Sequence, residues 1–271
     1  VETTGIVLCG GRSSRMGRPK ALLPWRGATL VETVVATLES AVDRVFAVHS
    51  GAFDLPDLGV PVLVDREPGL GPLAGIREGL HAAGTGLVFV APTDAPFLTV
   101  RFVRSLLAFG KAAALEHEGF VQTLCAVYDA DGADAADRLL AEGRRRPLDH
   151  LEASGFRRVT ADEVDDPESF RGFNRPQEYL DALSQADVPG GATLEFFGRA
   201  RRRAGRARMD VPTGTLYEVL RHAEPALAIC VEGEIARPFL VSLNARDFVR
   251  DPAIPVGPGD RVLVMDSSVG G

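Results

Sequence analysis

Apolar residues in the first part of the chain fall in short unbroken runs, at Thr4 to Cys9, Arg44 to His49, Val60 to Val64 and Leu87 to Ala91. Between them lie stretches with helical spacing, at Thr29 to Leu38, Leu73 to Ala82 and Val100 to Phe109. Short continuous runs bounded by turn residues fit strands buried on both faces. Their alternation with helices predicts an α/β fold, a doubly wound, mostly parallel, Rossmann-like sheet covered by helices on both sides. Such a sheet binds its ligands outside the carboxyl ends of its strands. Gly119 to Tyr128 reads as a longer strand, Ala133 to Leu140 and Leu148 to Ala153 as helices, and Pro176 opens a helix that runs to Gln185, proline being suited to a first helical turn.

Asp187-Val188-Pro189-Gly190-Gly191 breaks both periodicities and marks a linker. The expected domains are therefore 1–187 and 192–271. In the second, Thr193 to Phe197, Leu227 to Glu232, Phe239 to Leu243 and Arg261 to Met265 are strand-like, and Thr215 to His222 is helical. One helix among several short strands predicts a small α+β roll. Asp266 to Gly271 has small residues and no period, as an exposed tail would.

Composition narrows the partners. With 45% hydrophobic and 25% charged residues and a formal net charge of -7, the chain is that of a globular protein without a broad positive field, so no nucleic acid is expected, while small anionic ligands remain open. No run approaches the roughly 20 apolar residues that span a bilayer, and the N-terminus lacks a signal-peptide pattern, so no membrane and a cytoplasmic setting are expected. Cys9, Cys125 and Cys230 are far apart, form no CxxC or Cys/His spacing and sit in apolar runs. They read as buried, reduced thiols.

The most informative segment follows the first strand: Leu8-Cys9-Gly10-Gly11-Arg12-Ser13-Ser14-Arg15-Met16-Gly17-Arg18-Pro19-Lys20. Glycines let backbone amides approach a polyphosphate, and arginine and lysine supply charge and directed donors. Neither GxxxxGK[ST] nor GxGxxG is present, which sets aside the P-loop and dinucleotide readings. A glycine turn of purely structural purpose is the competing reading. The segment resembles the LAGGxSxRMGxxK signature of the molybdenum-cofactor guanylyltransferases, with Cys9 replacing the usual alanine. Asp65 with Gly69 to Ile76, Ala91 to Leu98, and Gln122 to Tyr128 follow the same family, and the resemblance covers roughly residues 1–186.

That resemblance implies transfer of GMP from GTP to molybdenum-loaded molybdopterin, with Mg2+ held by Asp94. Leu8, Cys9, Gly10, Gly11, Lys20, Asp65 and Asp94 would bind the nucleotide, and Lys20, Arg15 and Asp94 would act in the transfer. The chemistry suits these types: Asp94 is a hard oxygen ligand just beyond an apolar strand, Lys20 a point charge for phosphates, and Arg15 a fork for departing pyrophosphate. Asp65 also reads as a turn former, and Asn174 as the cap of the helix at Pro176. Arg144-Arg145-Arg146 reads either as a grip on a phosphorylated pterin or as a solvated face. A cytidylyltransferase and a sugar-phosphate nucleotidyltransferase are the neighbouring alternatives.

In the rear part, Leu194 to Gly205 resembles the FAxxRExxG opening of the small molybdopterin synthase subunit, a ubiquitin-like β-grasp sulfur carrier. Val241 to Asn244, Gly259 to Val262 and the final Gly270-Gly271 keep its order, while Asp266-Ser267-Ser268-Val269 replaces its Pro-Pro-Val-Ser. The resemblance implies a catalytic carboxylate on Gly271 that is adenylated and converted to a thiocarboxylate. It also implies as partners the large molybdopterin synthase subunit and an adenylating enzyme. Arg199, Arg201, Arg202, Arg203, Arg206 and Arg208 read as a grip on an acidic partner or as a soluble face. A non-catalytic carrier or scaffold, or a purely structural β-grasp appendage, is the competing class.

Overall fold

The computed structural model describes residues 1–10, 15–67, 69–224 and 226–266. The chain divides into two compact units, Val1–Arg12 with Leu30–Gly172, and Ser13–Thr29 with Phe173–Gly271.

The first unit is built on a seven-stranded sheet of β1 (Thr3–Leu8), β2 (Arg44–His49), β3 (Val62–Val64), β4 (Leu87–Pro92), β5 (Ala113–His117), β6 (Phe120–Asp129) and β7 (Arg157–Val159). Their order is β3-β2-β1-β4-β6-β5-β7. Pairing is parallel from β3 to β4, antiparallel across β4/β6 and β6/β5, and parallel again between β5 and β7. This is the mostly parallel α/β sheet that the alternating runs predict. Helices α1 (Leu30–Glu39) and α3 (Val100–Leu107) pack on one face, and α2 (Pro72–Ala83), α4 (Ala133–Ala141) and α5 (Pro147–Ser154) on the other. With both faces covered, Ile6 and Val7 of β1 are fully buried, which is why the strand is an unbroken apolar run rather than an alternation. The chain moves outward from β1 to β3 and then returns to β4 on the other side of β1, so the strand order reverses between β1 and β4, where Leu8 pairs with Pro92.

The spacing predicts no strand at Ala112 to His117, an alanine-rich stretch with helical propensity. Pairing with β6 and β7 overrides that preference, and Ala113, Ala114 and Leu115 are fully buried in β5.

In the second unit α6 (Pro176–Gln185) precedes β8 (Ala192–Phe197), α7 (Gly198–Ala204), β9 (Arg208–Val211), α8 (Leu216–Arg221), β10 (Phe239–Leu243), β11 (Asp247–Val249) and β12 (Arg261–Asp266). The strands form a sheet in the order β9-β8-β12-β10-β11, with β8 and β12 parallel at its centre and the other pairs antiparallel. Leu194, Phe196, Leu216, Val219, Val241, Val262 and Val264 share one apolar core. The start of α8 is fixed by a capping box in which Glu218 Oε2 accepts from the Thr215 N–H at 2.8 Å and Thr215 Oγ1 accepts from the Glu218 N–H at 3.3 Å.

The expectation of one helix here is corrected: α7 is a second, formed by the arginine-rich segment and anchored by buried Ala200. Leu227 to Glu232 supplies only the short strand Cys230–Val231, paired with Glu234–Ile235. Residues 15–29 join this unit through buried Trp25, whose ring centroid lies 6.4 Å from that of Phe173, and through Tyr179, which donates to the Pro24 carbonyl at 2.7 Å. Among the described residues no helix is long and apolar enough to cross a membrane.

Candidate functional site

In the first unit the reversal of strand order brings the carboxyl ends of β1 and β4 side by side. Cys9 prolongs the β1/β2 pairing by donating its N–H to the Val48 carbonyl at 2.8 Å. Leu8 and Cys9 are buried, whereas Gly10 is exposed. The backbone therefore leaves the sheet at Gly10. Gly11, Arg12, Ser13 and Ser14 lie outside the described residues, as do Ser267 to Gly271 with the expected working carboxylate of Gly271.

His49, at the end of β2, was not singled out by the sequence. Its ring nitrogens lie 3.3 Å from the Cys9 carbonyl and 2.6 Å from the Phe53 carbonyl, so it braces the strand end from which the glycine segment departs. Its only sequence signal is a histidine closing an apolar run. The next residue of interest is tied to it: the Asp65 N–H donates to the His49 carbonyl at 2.9 Å, and Asp65 Oδ1 accepts from the Glu67 N–H at 3.0 Å. Half-buried Asp65 thus forms the turn after β3.

Asp94 lies two residues beyond β4 and is half-buried. Gly172 backs against it so closely that a Cβ there would stand 2.0 Å from the Asp94 carbonyl oxygen and 3.6 Å from its carboxyl carbon. Only glycine fits without displacing the aspartate. A Gly172→Ala variant is therefore expected to cost about 1–3 kcal/mol of stability, the usual range for overpacking, read as a lowered midpoint of urea unfolding.

Arg15 and Lys20 belong to the second unit. Arg15 is exposed, Met16 is buried, and Lys20 opens a short 3-10 turn, Lys20–Leu22. Lys20 Nζ donates to Asn174 Oδ1 at 2.8 Å. Asn174 does not cap α6 with its side chain. The cap position is Arg175, and Glu178 Oε2 reaches back to the Asn174 N–H at 2.6 Å and the Arg175 N–H at 3.2 Å. Arg144, Arg145 and Arg146 are exposed in the α4–α5 connection, where Arg144 Nε lies 3.7 Å from Asp149.

Among the described residues no group of three or more His, Cys, Asp or Glu is placed to hold a metal by itself. A single half-buried carboxylate at the strand ends fits magnesium, which keeps several waters and is usually bound by one or two carboxylates together with substrate phosphates.

Burial pushes the Cys9 thiol up to about 12, and burial together with the nearby Asp94 charge raises that of Cys125. The expectation of three buried thiols holds for these two, while Cys230 is only half-buried. A thiol raised above its unfolded value, about 8.5, contributes stability that is complete below that value and is lost as pH rises toward 12. Iodoacetamide at pH 8 is therefore expected to label Cys230 well before Cys9 or Cys125, and the urea midpoint to fall between pH 8 and pH 10.5. Peptide mass spectrometry and denaturation curves check both.

Residues 5–157 match the MobA-like NTP transferase domain family. A probable molybdenum cofactor guanylyltransferase of Mycobacterium tuberculosis is 40% identical over 168 residues, which are 59% of this chain and 84% of that protein. Among solved structures, molybdopterin-guanine dinucleotide biosynthesis protein A of Archaeoglobus fulgidus aligns with a TM-score of 0.59 at 24% identity, over 68% of this chain and 98% of its own. The 2-C-methyl-D-erythritol 4-phosphate cytidylyltransferase of Thermus thermophilus aligns at 0.53 and 20% identity, over 68% and 98%. These two likenesses establish the nucleotidyltransferase-like fold.

Proposed function

Since this chain belongs to the MobA-like NTP transferase family and is a nucleotidyltransferase, we propose that its first part transfers GMP from GTP to molybdenum-loaded molybdopterin. The observation that carries this reading is the convergence of Cys9–Gly10 and Asp94 on adjacent carboxyl ends at the reversal of strand order, where sheets of this kind bind nucleotides. Guanine and a molybdenum-cofactor acceptor come from the 40%-identical relative's name, and guanine also from the LAGG-like opening of the loop.

In the transfer, a phosphate oxygen of the acceptor attacks the α-phosphorus of GTP, a new P–O bond forms, the bond to the bridging oxygen breaks, and pyrophosphate leaves with the electron pair. Amides near Gly10 would accept the triphosphate backbone-on, Lys20 would offset charge on its oxygens, and Arg15 would hold the departing pyrophosphate. Asp94 would hold magnesium, which when bound supplies charge stabilisation on the phosphoryl oxygens. Asn174, by accepting from Lys20, fixes where that ammonium stands. The test is release of pyrophosphate from GTP and from CTP with molybdenum-loaded molybdopterin present. GTP-dependent release supports the reading, CTP preference selects the cytidylyl alternative, and release from neither rejects it.

For residues 192–271 we propose a β-grasp sulfur carrier working through a Gly271 thiocarboxylate, with the large molybdopterin synthase subunit and an adenylating enzyme as partners. Parallel central strands β8 and β12, the intervening α8, and β12 leading into the tail support it. Incubation with an adenylating enzyme, ATP and a sulfur donor should raise the intact mass by the difference between sulfur and oxygen. An unchanged mass would leave a structural appendage.

A further inference from the structure

Arg18, within the glycine-rich signature, is held in the second unit by a residue more than two hundred positions away. Its Nη1 lies 2.5 Å from Asp260 Oδ2 and 3.3 Å from the Pro255 carbonyl, and its Nη2 lies 3.2 Å from Asp260 Oδ1. The two side chains are only 9% and 2% exposed. Asp260 also accepts from the Gly257 N–H at 2.9 Å and from Asn244 Nδ2 at 2.7 Å, while Asn244 Oδ1 accepts from the Arg261 N–H at 2.8 Å. The carboxylate is thus surrounded by donors, which offset the cost of placing a polar group away from water.

A second contact lies beside the first. Gly17 has φ +65, and a Cβ on it would stand 2.5 Å from Ile254 Cγ1. The stretch carrying Arg15 and Lys20 is therefore seated on residues 254–260 by a close backbone approach and by a two-pronged ion pair. A buried pair of this kind adds little net stability compared with apolar side chains of the same volume, but each partner strongly restricts where the other can be.

We propose that Asp260 is a positioning residue for nucleotide transfer, holding the segment from Arg15 to Lys20 through Arg18 so that both cations are presented to the triphosphate. This rests on the nucleotidyl-transfer reading above. A segment ordered in advance spares GTP the entropic cost of ordering it on binding, so loosening it weakens substrate binding more than the chemical step.

The wild-type chain is assayed first for GTP-dependent pyrophosphate release, followed by Arg18→Gln, Arg18→Lys, Asp260→Asn and the double variant R18Q/D260N. Arg18→Gln and Asp260→Asn are expected to raise KM for GTP about tenfold with kcat within about threefold of wild type, as loss of binding common to ground and transition states would do. Arg18→Lys is expected to recover part of the loss, and the double variant to be no worse than the worse single one, as for two residues acting through one contact. Should Asp260→Asn not fold, the two Arg18 substitutions, which leave Asp260 in place, decide the matter through the same split. Lowered melting temperatures with unchanged KM, or effects of the singles that simply add, would overturn the proposal and leave the nucleotide reading standing. A wild type that releases no pyrophosphate overturns both.

Discussion

Exchange of Asp94 for asparagine is expected to lower kcat for GMP transfer by about a thousandfold, the upper range for removing one electrostatic contact to a phosphoryl transition state. The shape of the side chain is kept, so its half-buried place beyond β4 and its contact with Gly172 are undisturbed. What is lost is the negative charge that would hold magnesium. The loss should therefore be accompanied by a rise in the magnesium concentration needed for half-maximal rate, with the melting temperature little changed. Pyrophosphate release measured across a magnesium titration checks this. A variant within tenfold of wild type at saturating magnesium would remove Asp94 from the proposed site and return it to the role of a turn residue after a buried strand.

Lys20→Ala is expected to lower kcat/KM for GTP by about a hundredfold, the cost of removing one charged donor from a phosphate site. The mutation also leaves Asn174 Oδ1 without the ammonium now 2.8 Å away. Because Asn174 is exposed, water can replace that partner and folding should be affected only slightly. Lys20→Arg keeps the charge but not the compact ammonium, and should retain an intermediate rate. Asn174→Ala should cost less than Lys20→Ala, since it removes one group that orients the lysine and leaves the charge in place. If Lys20→Ala matched wild type, the signature would be a structural turn, and the non-catalytic carrier reading would gain.

The sheet of the first unit was legible where physics left one solution. Strands buried on both faces cannot alternate, so β1, β2 and β4 stood out as continuous apolar runs, and Pro176 marked the start of α6 at the observed residue. What escaped was decided by distant partners. Ala113–His117 is a strand only because β6 and β7 flank it, and Arg157–Val159 is too short and too polar to carry a pattern of its own. The arginines of α7 gave no apolar stripe; buried Ala200 and the flanking β8 and β12 supply the surface against which that helix forms.

The candidate site divided in the same way. Loop glycines, Lys20 and Asp94 stand out locally as candidates, because a glycine run, a lysine and a carboxylate beyond an apolar strand suit a phosphate and metal site. Gly172, His49 and Asp260 do not, since each touches its candidate through a neighbour 40 or more positions away: His49 through Cys9, Gly172 through Asp94, Asp260 through Arg18. Asn174 is an intermediate case. Asparagine two residues before a helix is usually read as a cap, but Glu178 already reaches back to the adjacent amides, and that leaves the asparagine side chain for Lys20.

The ion pair between Arg18 and Asp260 spans 242 positions, which bears on synthesis by the ribosome. Chains emerge from the N-terminus at roughly 5–20 residues per second, so Asp260 is translated 242 residues after the Arg18 it holds. Strands β1 to β7 can pair while the rear sheet is still being made, but the basic half of the signature has no buried carboxylate to close on until residue 260 has left the exit tunnel. A polypeptide released early by a stalled ribosome or a nonsense codon would carry the whole matched family segment, residues 5–157, and yet lack the carboxylate that holds Arg18. Synthesis through residue 260 thereby becomes a condition for a seated Arg18.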